Sequence, residues 1–254
     1  MPLSQVVGGA LLPGLAVLTG WRTAATVAAL ILAPTLVMSY FFVPCTSVRA
    51  SRLPGSARRP VPANVWWMTG YAFLLGCALQ PTIVYLPLFG HEDLGLSVGM
   101  AGLTVAVMGA IGLVARVAWG RLFERVRRPQ LLLAALPVVA TMAVGVLVTA
   151  SVVEAPGLVW MAAVLHGASA VAATAVIMLA VVATTDAAVV GSATGLVATG
   201  QFTGFAVGPI AFGALVDGTG AYGPGWLVVG GVYLLAALVM VLAAWQQRRP
   251  AGRG

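Results

Sequence analysis

His166, Gln80 and Gln201 are polar side chains set deep within long apolar runs, far from any charged neighbour. A polar group in hydrocarbon is expensive to hold, so such residues are candidates for gripping a polar solute. His166 lies about nine residues into the run 157–183, near mid-depth. Gln201 is at the middle of 189–215, and Gln80 lies about a turn beyond the middle of 65–88, directly before Pro81. For each, the alternative is a hydrogen bond to a carbonyl of a neighbouring helix. Pro81 and Pro87 bracket residues 82–86, which predicts a helix broken in its outer half, where freed carbonyls and Tyr85 can face water; a proline kink fixed by packing is the other reading. Arg116 lies one turn before Gly120, close enough to the end of its run for its side chain to snorkel to lipid phosphate.

Other chemistry is missing from the sequence. The acidic residues are Glu92, Asp93, Glu124, Glu154, Asp186 and Asp217, none inside an apolar run. Proton transfer through a buried carboxylate therefore has no residue to use, and His166 is the one deep group that titrates near neutral pH, which leaves proton coupling an open question. Ser169 follows His166 by three residues without an orienting acid, and Gly167-Ala168-Ser169-Ala170 is not a nucleophile elbow. There is no His-Glu-x-x-His pattern, no phosphate loop and no lysine. Cys45 and Cys77 have neither metal-ligand spacing nor an extracellular loop to bridge. We expect no enzyme, no metal and no cofactor.

The elements that position these residues follow from composition. The 254 residues are 61% hydrophobic and 7% charged, with a mean hydropathy of +1.03. Apolar runs at roughly 3–20, 23–45, 65–88, 97–119, 130–152, 157–183, 189–215 and 226–246 are each long enough to cross a hydrocarbon core of about 30 Å as a helix. This predicts an all-α polytopic membrane protein with eight transmembrane helices. Four arginines fall between 49 and 59, four between 121 and 128 and three between 248 and 253, in alternate gaps. Basic residues near span ends are retained in the cytoplasm, which places both termini and these gaps inside. The net charge of +7 is spread over short loops with no basic helix or aromatic platform, so the expected partner is anionic lipid of the inner leaflet and not nucleic acid.

The interval 46–64, with Pro54, Pro60 and Pro62, reads as a cytoplasmic linker between a two-helix part, 1–45, and a six-helix part, 65–254. In the seventh run Gly200, Gly204 and Gly208 recur every four residues and define a face for close helix contact, with a bend expected at Pro209. A weak internal echo pairs Gly8 and Pro13 with Gly204 and Pro209, as in transporter folds built by duplication.

The stretch Gly120-Arg121-Leu122-Phe123-Glu124-Arg125-Val126-Arg127-Arg128, expected in a short turn, resembles the loop signature of the major facilitator superfamily. Gly120, Leu122, Arg125 and Arg128 match; Glu124 stands for the usual Asp and Arg127 for a common Gly. Residues 204–220 resemble that family's eleventh helix and 8–22, ending in Gly20-Trp21-Arg22, its fifth. The resemblance implies a secondary transporter of a small solute in the cytoplasmic membrane, its eight spans matching helices five to twelve. The first four are absent, so we expect an incomplete transporter that inserts without transporting by itself; the alternative is a transport-incompetent fragment or partner subunit. It also implies that the runs carrying Gln80, His166 and Gln201 line a central cavity and that Glu124 packs at the start of the seventh run as part of a gate. Arg116-x-x-x-Gly120 looks like the arrangement in monocarboxylate-type members, where the Arg faces substrate, although Gly112 replaces their acid one turn earlier.

Overall fold

In hydrocarbon, a long segment that is apolar on all sides must satisfy its own backbone, and a helix is the way a single segment does so. The computed structural model describes residues 60–126 and 128–246, with positions 15, 16, 18–20, 22, 23, 25–27, 29, 30 and 34. The helices are α1 (Ala63–Glu92), α2 (Val98–Arg125), α3 (Pro129–Val153), α4 (Gly157–His166), α5 (Ala172–Thr184), α6 (Val190–Thr219) and α7 (Tyr222–Gln246). A five-residue π-helical segment, Gly167–Val171, joins α4 to α5, making one span of 28 residues. The described chain thus has six helices able by length and composition to cross a membrane, and no strand occurs among the described residues.

Most of the expected first and second spans, Cys45, most of the linker, Gly8 and Pro13 of the echo, Arg127 and the arginines of 248–253 lie outside the described residues. At the junction of those two spans, Gly20 adopts a φ of 88° and donates its N–H to the Ala16 carbonyl at 2.9 Å. That is how a glycine ends a helix.

Two expectations are corrected. Pro81 and Pro87 do not break α1, which runs as one helix of 30 residues. Each proline withholds a single N–H, and Pro81, Thr82 and Leu86 are buried against neighbouring helices that support the backbone through the gap. The signature stretch is not a turn from Gly120: α2 continues to Arg125, and the Val126 N–H still reaches the Leu122 carbonyl at 3.1 Å. Leu122, Glu124 and the arginines favour helix, and buried Phe123 anchors the added turn. α2 ends at Arg125, and Pro129 opens α3 where its missing N–H is harmless.

The closest pair is α1 with α6. Gly200 lies over Thr69, Gly204 over Phe73 and Gly76, and Gly208 over Cys77, with backbone against backbone. Paired positions ascend together in both helices, so the two run parallel. Pro209 sits within an uninterrupted α6. At one end of the bundle the Phe212 and Trp226 rings meet tilted, 4.7 Å apart, Phe89 meets Trp226 edge-on at 5.7 Å, and Tyr222 donates its hydroxyl to the Glu92 carboxylate. Inside, the buried Tyr71 hydroxyl donates to the Leu133 carbonyl at 2.9 Å, tying α1 to α3. Outward-facing residues are apolar too: Ile210, Val114 and Leu227 are 73%, 69% and 64% exposed. Such a surface suits lipid rather than water.

Candidate functional site

The polar node of the bundle forms where α2 meets the π segment. Gly112 makes the approach possible: a Cβ there would fall 2.5 Å from Val171 Cγ1 and 3.3 Å from the Gly167 carbonyl oxygen. Gly167 in turn rests directly on the Met108 carbonyl. One and two turns beyond Gly112 on the same face of α2 come Arg116 and Trp119. Arg116 Nη2 donates to the Val171 carbonyl at 3.2 Å and to Thr174 Oγ1 at 2.9 Å, and Trp119 Nε1 donates to the Ala168 carbonyl at 2.7 Å. The buried Arg116 Nε has no hydrogen-bond partner.

Depth decides what Arg116 can do. The α4–α5 span of 28 residues is about 42 Å long, roughly 12 Å more than the hydrocarbon core, so each end projects by about 6 Å. Thr174 lies ten residues, about 15 Å, from the end of α5 at Thr184; for an upright span centred on the core this is about 9 Å inside the hydrocarbon. Its hydrogen bonds turn Arg116 inward onto the π segment, whereas the snorkelling reading has its guanidinium at the lipid phosphates.

The other candidates have partners of their own. His166 is 1% exposed; its Nε2 is 3.3 Å from the Tyr233 hydroxyl of α7, the rings meet at 66°, and its Nδ1 has no partner. Gln201 is buried at the α1–α6 contact, its carbonyl oxygen over Gly76, and Gln80 is half-buried on α1. No hydrogen bond among the described residues links any two of the three. An apolar cleft of about 280 Å³ between α1, α6 and α7, lined by Cys77, Pro81 and Phe212 among others, contains none of them. Tyr85 is spent inside the fold, its hydroxyl donating to the Pro209 carbonyl at 3.3 Å and its ring 4.7 Å from Phe212.

Around the signature, Arg121, Leu122, Glu124, Arg125 and Arg128 are exposed and Gly120 is half-buried. Before α6 the chain turns on Asp186: its Oδ1 accepts the Ala188 N–H at 2.9 Å, and its carbonyl accepts the Val189 and Val190 N–H groups at 3.0 Å.

Trp119, Thr174 and Tyr233 were not singled out from the sequence. The spacing of Gly112, Arg116 and Trp119, four and three residues apart, is the signal that could have found the node, since it stacks a small residue and two donors on one helical face.

A sequence profile described as Major Facilitator Superfamily matches residues 1–199. No curated protein matches the chain.

Proposed function

The chain belongs to the major facilitator superfamily, a family of membrane transporters, and from that premise we propose that it is a secondary transporter that moves a small organic anion, a carboxylate, across the cytoplasmic membrane. One observation carries the reading: the half-buried Arg116 guanidinium lies within the bundle, yet every Asp and Glu of the sequence is at a helix end or in a loop. A cation in hydrocarbon calls for a countercharge, and no acid of this chain lies at that depth. A solute carboxylate supplies it and offers two oxygens to the planar guanidinium. Neutral partners, the Val171 carbonyl and Thr174, hold the group ready without neutralising it. In this reading Gln80 and Gln201 belong to the α1–α6 wall, and His166 packs against Tyr233 rather than carrying protons.

A thermal-stability screen of the protein in lipid nanodiscs tests the substrate class. Small carboxylates are expected to raise the melting temperature, and sugars or organic cations to leave it unchanged. Stabilisation by a sugar or a cation alone would defeat the reading.

The positive-inside pattern orients the bundle with Arg121, Arg125 and Arg128 in the cytoplasm and Glu92, Glu154 and Asp217 outside. In a background free of native cysteines, a cysteine at position 128 should react with impermeant maleimide only after permeabilisation. One at position 154 should react in intact cells. The reverse pattern would overturn the orientation.

A further inference from the structure

A π turn carries one more residue than an α turn and moves the ladder from i→i−4 to i→i−5, which leaves carbonyls without their usual donors. In hydrocarbon each of these needs another partner. At Gly167–Val171 side chains add hydrogen bonds to the carbonyls of the segment and its flanks. Ser169 Oγ donates to the Leu165 carbonyl at 2.7 Å and Thr174 Oγ1 to the Val171 carbonyl at 2.8 Å, both from within the span. The Ala168 carbonyl receives Trp119 Nε1, and the Val171 carbonyl receives Arg116 as well, both from α2. The widened turn is thus held partly by its own residues and partly by a neighbouring helix, whose Met108 carbonyl lies on Gly167 and whose Gly112 leaves room for the Val171 side chain.

We propose that Gly167–Val171 is a hinge between α4 and α5 whose stiffness is set by α2, with Trp119 as the positioning residue that keeps the π turn in place. Arg116 is the second α2 donor. When a carboxylate engages its guanidinium, the hold on Val171 weakens and α5 is freed to move against α4. This last link rests on the anion reading above; the hinge does not.

Hydrogen exchange of the full chain in lipid nanodiscs tests it. Trp119→Phe keeps an aromatic ring but removes the donor, and is expected to speed exchange of amides 167–176 about ten-fold while leaving α3 and α7 unchanged. Deleting Ala170 removes the extra residue of the π turn, so α4 and α5 keep their facing. That variant is expected to fold and to exchange more slowly than wild type over the same amides. Wild-type rates in Trp119→Phe would overturn the hinge, and so would a deletion variant whose exchange rises throughout the bundle. Should Trp119→Phe itself unfold, the deletion variant decides. Adding acetate or lactate to the wild type should speed the same amides. If only this last arm fails, the hinge stands and the anion reading falls.

Discussion

Gly204→Leu should be among the most damaging single substitutions in the described bundle. A Cβ at this position would fall 2.8 Å from Cys77 N and 3.0 Å from Gly76 Cα, and closer still to the Phe73 carbonyl oxygen. All three are backbone atoms of α1, so no rotamer change relieves the clash; the helices must separate. Separation forfeits the packing that holds membrane helices together, because lipid tails compete equally well for apolar surface. Overpacking of this kind costs about 3 kcal/mol or more, which for a chain of this size lowers the melting temperature by on the order of 10 °C. Gly145→Ala is the control. Nothing lies within 4 Å of its added Cβ, and alanine is the better helix former, so its melting temperature should match or exceed wild type. A Gly204→Leu protein that melts with the wild type would show that α1 and α6 do not meet as described.

What could be read from the sequence depended on the physical signal each feature leaves. The six described spans were legible because length and hydropathy are set by the thickness of the bilayer, and their ends moved by at most six residues, the largest shift being α2 to Arg125. The facing of each side chain was not. A helix in lipid is apolar all round, so periodicity does not say which residues look inward. Sequence position gave His166, Gln80 and Gln201 similar depth but could not give their azimuth, and azimuth is what separates His166, against Tyr233, from Gln201 in the α1–α6 contact. The prolines of α1 were over-read because the rule that proline breaks a helix belongs to unsupported backbone, and Pro81 is buried among neighbours. The π segment has no signature in hydropathy at all. It shows only as small residues in Gly167-Ala168-Ser169-Ala170, a pattern equally at home in an ordinary packed helix.

The second large effect is expected at Arg116. Arg116→Gln keeps a hydrogen-bond donor of reduced reach for Val171 and Thr174 but removes the charge. Truncating one side of a buried, hydrogen-bonded charge pair costs about 2 to 5 kcal/mol, so carboxylate affinity should fall by roughly 30-fold to several thousand-fold. Arg116→Lys should recover part of it, since a lysine restores charge without the planar fork that takes two oxygens at once. Stability should change far less than in Gly204→Leu, because Thr174 Oγ1 still donates to the Val171 carbonyl at 2.8 Å and Trp119 Nε1 to the Ala168 carbonyl at 2.7 Å.

The most direct test of the transporter reading is a binding titration on the purified chain in lipid nanodiscs, comparing a carboxylate that stabilises the protein with its neutral amide of the same shape. The account predicts saturable binding of the carboxylate, loss of roughly two orders of magnitude for the amide, and an equal loss for the carboxylate in Arg116→Gln. Binding of the acid and the amide with the same affinity, or full carboxylate affinity in Arg116→Gln, would contradict it.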